Sequence, residues 1–180
     1  MRFELTPGKP SSVGIEVLIL HGAPGSGKTT LSRGIAESLR MSKAPHAVID
    51  LDDLSMVYPS PGRDFARQNL KAIWPNFAAI PELKVIIPSV LANADEAAQL
   101  RAAAPGSRFI VCELSAPEHI LKQRVTEREP NEYWQSRLRD FVDLYHSRTD
   151  LADIRDFQVI TYDRSVEEAA REVIQRAGWS

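Results

Sequence analysis

Gly22-Ala23-Pro24-Gly25-Ser26-Gly27-Lys28-Thr29 fits the spacing G-x-x-x-x-G-K-[ST]. The residue types have a chemical purpose. Glycines let a backbone turn its N–H groups inward around an anion, in conformations that a Cβ resists. A helix starting at the end of the loop adds the positive end of its dipole. The lysine of such a loop reaches the β- and γ-phosphates of a nucleotide, and the hydroxyl next to it ligates Mg²⁺. Gly22 to Thr30 are therefore the expected binding site for the phosphates of a nucleotide, with Lys28 as the charge-neutralising group and Thr29 as a metal ligand.

A loop of this kind needs a strand before it and a helix after it. The apolar run Val17–Leu20 supplies the strand, and Leu31, Ile35 and Leu39 at four-residue spacing supply one face of the helix. Four more short apolar runs read as buried strands: 47–49, 85–87, 109–114 and 157–161. Helical spacing separates them. Phe65, Leu70, Ile73 and Phe77 mark a helix expected to end near Pro75 to Pro81. An alanine-rich helix is expected over 92–104, another after Pro117, one carrying Leu138 to Tyr145, and a last one from Ser165. Five buried strands alternating with helices imply an α/β fold, a three-layer sandwich around a five-stranded parallel sheet. Ligands of such sheets bind at the carboxyl ends of the strands.

The composition fits this reading and excludes others. The 180 residues carry 22 basic and 24 acidic side chains, a net charge of −2, so bulk attraction to nucleic acid is not expected. The length suits a single domain, with residues 1–14, rich in Pro, Gly and Ser, as an irregular arm. No run approaches the roughly 20 apolar residues of a membrane helix. No signal-peptide h-region precedes the first strand, and the only cysteine, Cys112, lies in an apolar run. A reducing, cytoplasmic setting is the expectation.

The other residues of chemical interest also follow strands. Asp50 and Asp52, two apart after the second strand, can face one side. Arg124 and Arg128, four apart, share one helical face. The polar stretch after them, with Arg137 and Arg139 beyond, reads as a short lid over 128–139. Arg67, Lys71 and Trp74 share a face of the second helix, and Arg63 or Arg67 would suit an anionic acceptor. Ser89 stands after the third strand, Glu113 near the end of the fourth, in contact with solvent, and His21 just before the loop, as a satisfied strand-end histidine.

With the loop, Asp50-Leu51-Asp52-Asp53 and Leu121-x-x-Arg124-x-x-x-Arg128, the chain resembles the small P-loop kinases of the shikimate, gluconate and adenylate kinase group. Asn69–Phe77 is similar to actinobacterial P-loop proteins termed adenylylsulfate kinase-like. Adenylylsulfate kinases themselves carry Asp-Gly-Asp-Asn and Ile-Ser-Pro where this chain has Asp50-Leu-Asp-Asp53 and Ile87-Pro-Ser89. The resemblance implies ATP- and Mg²⁺-dependent transfer of the γ-phosphoryl group to a small-molecule acceptor. It implies one aspartate on the metal side, Asp50, and one facing the acceptor hydroxyl, Asp52, in an order that stays open. It also implies Arg124 against adenine, Arg128 on the phosphates, and the 162–164 loop beside the base. Two alternatives remain: an NTPase acting on a protein partner, and a kinase of polynucleotide ends. The acceptor's identity and the oligomeric state, monomer or homodimer, are open.

Overall fold

The computed structural model describes residues 14–179, the side chain of Arg63 apart. Of the arm expected over 1–14, all but Gly14 lies outside the described residues. Five strands form one parallel sheet in the order β2-β3-β1-β4-β5. They are β1 (Glu16–His21), β2 (His46–Val48), β3 (Lys84–Pro88), β4 (Arg108–Ser115) and β5 (Phe157–Ile160). Val17 pairs with Val85 on one side and Phe109 on the other, so β1 is central.

Alternation along β1 divides the core into two layers. Leu18 and Leu20 face α1 (Lys28–Met41) and α7 (Val166–Ala177), meeting Leu31, Ile35, Leu39, Ala170 and Val173. Val17 and Ile19 face α2 (Arg63–Ala78), α3 (Ala94–Ala103) and the single turn α6 (Leu151–Ile154), meeting Leu70, Trp74, Leu100 and Ile154. A smaller cluster of Ala23, Leu121, Val142 and Tyr145 joins the loop after β1 to α4 (Glu118–Arg128) and α5 (Glu132–His146). The expected three-layer α/β sandwich is the fold. Among the described residues, no helix is long and apolar enough to cross a membrane.

Some elements differ from expectation, each for a tertiary reason. Strands β2 and β5 sit at the sheet edges, so β2 is half-exposed and only Phe157 and Val159 of β5 are buried. Helix α2 does end within the expected range, at Ala78, and it runs through Pro75 because a proline near the helix end forfeits little beyond one backbone hydrogen bond. Residues 132–139 are helical rather than loop: the Asn131 side chain accepts from the Tyr133 and Trp134 amides and starts α5 there. Glu113 does not reach solvent. It is buried against α5 and β5.

Candidate active site

β1 ends at the point where the chain order reverses, with β3 on one side and β4 on the other. Such a crevice, open at the carboxyl edge of the sheet, is where an α/β fold places ligands. The loop from Gly22 to Gly27 fills it and delivers the chain into α1. Two of its glycines are needed for close approach. A Cβ on Gly22 would lie 2.6 Å from the Leu114 carbonyl oxygen, and one on Gly25 2.8 Å from that of Leu121. Gly25 (φ +80°) and Gly27 (φ +92°) are also left-handed, a conformation that costs other residues roughly 1–3 kcal/mol.

Lys28 folds back over the loop, its Nζ donating to the carbonyl oxygens of Gly22 at 2.8 Å and Ala23 at 3.0 Å. Burial, followed by the field of Arg128, lowers its pKa to about 8, while Asp52 and Asp50 oppose the shift. Among the described residues, the hydrogen bonds of the ammonium go to carbonyl oxygens and not to a carboxylate. A phosphate in the loop would supply the missing counter-charge. The Ser26 hydroxyl, buried at the centre of the loop, has no hydrogen-bond partner among the described residues.

Two cavities flank the loop. The first, of about 290 Å³, lies toward β2 and β3 and gathers Lys28, Thr29, Asp50, Asp52, Arg67 and Ser89. Partial burial raises the pKa of Asp50, and its Oδ1 accepts the Asp52 amide at 3.0 Å. The hydroxyl of Thr29 and the carboxylates of Asp50 and Asp52 are hard oxygen donors around one space, a set suited to Mg²⁺ and its waters. The second cavity, of about 320 Å³, lies toward β4 and β5 and is lined by Gly25, Ser26, Gly27, Thr30, Arg124 and Arg128, with Thr161 and Arg164 at its far wall.

The arginines divide into committed and uncommitted groups. Arg124 is a brace: it donates to the Gly25 carbonyl at 3.3 Å and to that of Thr161 at 2.8 Å. Arg128, at the C-terminus of α4, is exposed on the second cavity. Arg139 donates to the Thr126 hydroxyl and fastens α5 to α4, whereas Arg137 is exposed. Arg67 pairs with both Asp64 and Glu96. Trp74 does not join Arg67 at the cavity; it is a core residue, its Nε1 donating to the Pro105 carbonyl. The Arg63 side chain lies outside the described residues.

Three features escape a reading of the sequence. Thr161 receives Arg124 and donates to the Ser26 carbonyl at 2.9 Å, tying the end of β5 to the loop; its position just after a strand is the signal for it. Glu96 accepts the Ala92 amide and holds Arg67, from a helix start that the cap Asn93 marks. A buried chain runs beneath the loop. The Leu91 amide donates to His21 Nδ1, so His21 Nε2 carries the proton and faces the Tyr145 hydroxyl at 3.1 Å. Tyr145 donates in turn to Glu113, which is paired with Arg155. Burial lowers the His21 pKa to about 4, and Arg148 and Lys28 push it the same way. No local pattern in the sequence announces this chain, whose members come from three elements, β1, β4 and α5, and two loops.

The sheet order, the glycine loop entering α1, and Lys28 with Thr29 define a P-loop nucleotide-binding domain, with the fold of the small kinases. Residues 17–145 match the AAA domain family, and the chain belongs to it. Among curated proteins none is significantly similar in sequence. Solved structures are similar across nearly their whole length. An APS kinase from Mycobacterium tuberculosis, bound to AMPPNP and APS, aligns with TM-score 0.65 and 20% identity over 93% of this chain and 99% of its own. A gluconokinase from Sinorhizobium meliloti aligns with TM-score 0.61 and 22% identity over 91% of each chain. Shikimate kinase from Acinetobacter baumannii, bound to shikimate, aligns with TM-score 0.57 and 19% identity over 92% and 93%.

Proposed function

We propose that this protein is an ATP- and Mg²⁺-dependent phosphotransferase that moves the γ-phosphoryl group to the hydroxyl of a small molecule. The observation that carries the reading is the pair of cavities sharing one phosphate loop, one lined by loop backbone and arginines, the other by Lys28, Thr29 and two aspartates. ATP enters the second cavity, with its phosphates on the loop N–H groups and its base toward Thr161 and residues 162–164. Arg124 fixes the shape of that site and Arg128 meets the phosphates. The acceptor enters the first cavity.

Thr29 and Asp50 would hold the metal ion, which would neutralise charge on the β- and γ-phosphates. Asp52 receives the proton of the acceptor hydroxyl as its oxygen forms a bond to the γ-phosphorus. The bond from that phosphorus to the β,γ-bridging oxygen breaks, and ADP leaves. Lys28 and Arg128 neutralise the charge that develops on the transferred group. The segment 128–139 acts as the lid, with Glu129–Asn131 between α4 and α5 as its non-helical joint. Its closure excludes water and so favours transfer over hydrolysis. The buried thiol of Cys112 suits a reducing, cytoplasmic setting.

The test is ADP release from Mg²⁺-ATP with and without a panel of hydroxylated acceptors, Lys28→Ala serving as control. Acceptor-stimulated release, reduced at least a hundredfold in the variant, is expected. Release indifferent to every acceptor would instead identify an NTPase.

A further inference from the structure

A third cavity, of about 480 Å³, opens beside the first and differs from it in chemistry. Its wall is Pro24, Val90, Leu138, Phe141, Leu144 and Tyr145. Two features join it to the phosphoryl-transfer site. Val90 lines both this cavity and the one holding Asp50 and Asp52, and Pro24 belongs to the phosphate loop itself. The apolar wall is therefore an extension of the acceptor space.

The charges at its edge are already spent. Arg148 donates from Nε and Nη2 to Asp150, both at 2.9 Å, and from Nη1 to the Leu91 carbonyl at 2.6 Å. Its guanidinium also lies over the Tyr145 ring. In the adjoining cavity Arg67, the cation nearest in kind to a carboxylate receptor, is held by Asp64 and Glu96. Asp50 and Asp52 add two negative charges to the same space. Beyond Lys28, which belongs to the phosphate loop, an anionic acceptor would meet an Arg67 already paired and two aspartates.

Leu144 is 63% exposed and Phe141 47% exposed, although both stand on a helix whose opposite face is buried through Val142. Apolar side chains lining a concave site next to a few convergent polar groups are the usual composition of a small-molecule pocket. Its volume suits a ring-sized body.

Resting on the kinase reading above, we propose that the acceptor is an uncharged hydroxyl compound with an apolar, ring-sized body. The hydroxyl lies toward Asp52, and the body lies against Leu138, Phe141 and Leu144. Of the two arginines expected to suit an anionic acceptor, Arg63 and Arg67, the Arg67 guanidinium is committed within the fold, which favours a neutral one.

The experiment measures binding of 3-phenylpropan-1-ol, glycerol and shikimate to the Mg²⁺-ADP complex by saturation-transfer NMR. It uses the wild type, Phe141→Ala and Leu144→Glu, two changes at exposed positions whose folding is checked by melting temperature. The aromatic alcohol should bind in preference to the other two. Each variant should weaken it about tenfold or more, while the nucleotide-induced rise in melting temperature is retained. Preference for shikimate, or aromatic binding indifferent to both variants, would overturn the inference and leave the kinase reading standing. So would sedimentation showing a dimer that Leu144→Glu dissociates, since a second copy would then cover the apolar wall. Absence of any stabilisation by Mg²⁺-nucleotide would remove the kinase reading and this inference together.

Discussion

Lys28 and His21 are seven residues apart, and burial holds the pKa of both below its ordinary value. For Lys28 the consequence is functional. Its pKa of about 8 in the free protein must rise when phosphate supplies a counter-charge. Below pH 8 both forms are protonated, and affinity for ATP is flat. Above pH 8 the free protein must take up a proton to bind, so affinity should fall roughly tenfold per pH unit. Calorimetric titration in buffers of different ionisation enthalpy should show that uptake at pH 9 and little at pH 7. For His21 the consequence is stability. The native pKa, about 4, lies below the ordinary 6.5, so the unfolded chain binds the proton first as pH falls. The stabilisation is complete above pH 6.5 and is lost progressively down to pH 4, about 3 kcal/mol in all. Thermal melts over that range should show a shallower acid slope for His21→Asn than for the wild type; equal slopes would refute the assignment.

At the scale of elements, the loop, α4 and the end of β5 behave as one braced unit. Gly25 approaches the Leu121 carbonyl of α4, Arg124 spans from Gly25 to Thr161, and Thr161 returns to Ser26. Shape in the phosphate loop is therefore set by the helix that also presents Arg128. Gly25→Ala introduces both a positive-φ penalty and a Cβ 2.8 Å from a backbone oxygen that cannot easily withdraw. The expected loss is about 2 kcal/mol or more in chemical denaturation, with nucleotide binding lost in the molecules that remain folded. An alanine at this position that binds ATP normally would show that the loop is not rigid. The α5 helix is the complementary case. Its buried face carries Val142 and Tyr145 into the core, and its outer face leaves Phe141 and Leu144 to the apolar cavity.

At the scale of the molecule, a net charge of −2 coexists with a site that concentrates basic groups where the strands end. The core is divided by the sheet into two apolar layers, so the site rests on a rigid support rather than on a loop cluster. Nucleotide binding should therefore register in global stability. At Mg²⁺-ATP a hundredfold above Kd, linkage gives about 2.7 kcal/mol, or a rise in Tm of roughly 5–10 °C for a chain of this size. Scanning fluorimetry measures it directly, and no shift for Lys28→Ala is expected under the same conditions.

How much of this is legible in the sequence depends on the distance over which each feature is encoded. The phosphate loop is written in eight consecutive residues, because its shape is a matter of local backbone conformation and of a lysine and threonine fixed to one helix start. Alternating apolar strands and helices, set by periods of two and 3.6, are likewise enough to fix a parallel α/β sandwich. Which strands lie at the edges is not local, so β2 reads as buried and stands half-exposed. The fate of individual polar groups is decided by partners far along the chain. Trp74 enters the core by meeting Pro105, Glu113 is buried by Tyr145 and Arg155, and Arg67 is neutralised by Glu96. The sequence by itself determined that this protein has a loop shaped for phosphate. Which groups share the space beside that loop, Asp50 and Asp52 with an Arg67 already paired and an apolar wall adjoining, was decided only by tertiary structure, because charge and burial depend on which side chains the fold brings into contact.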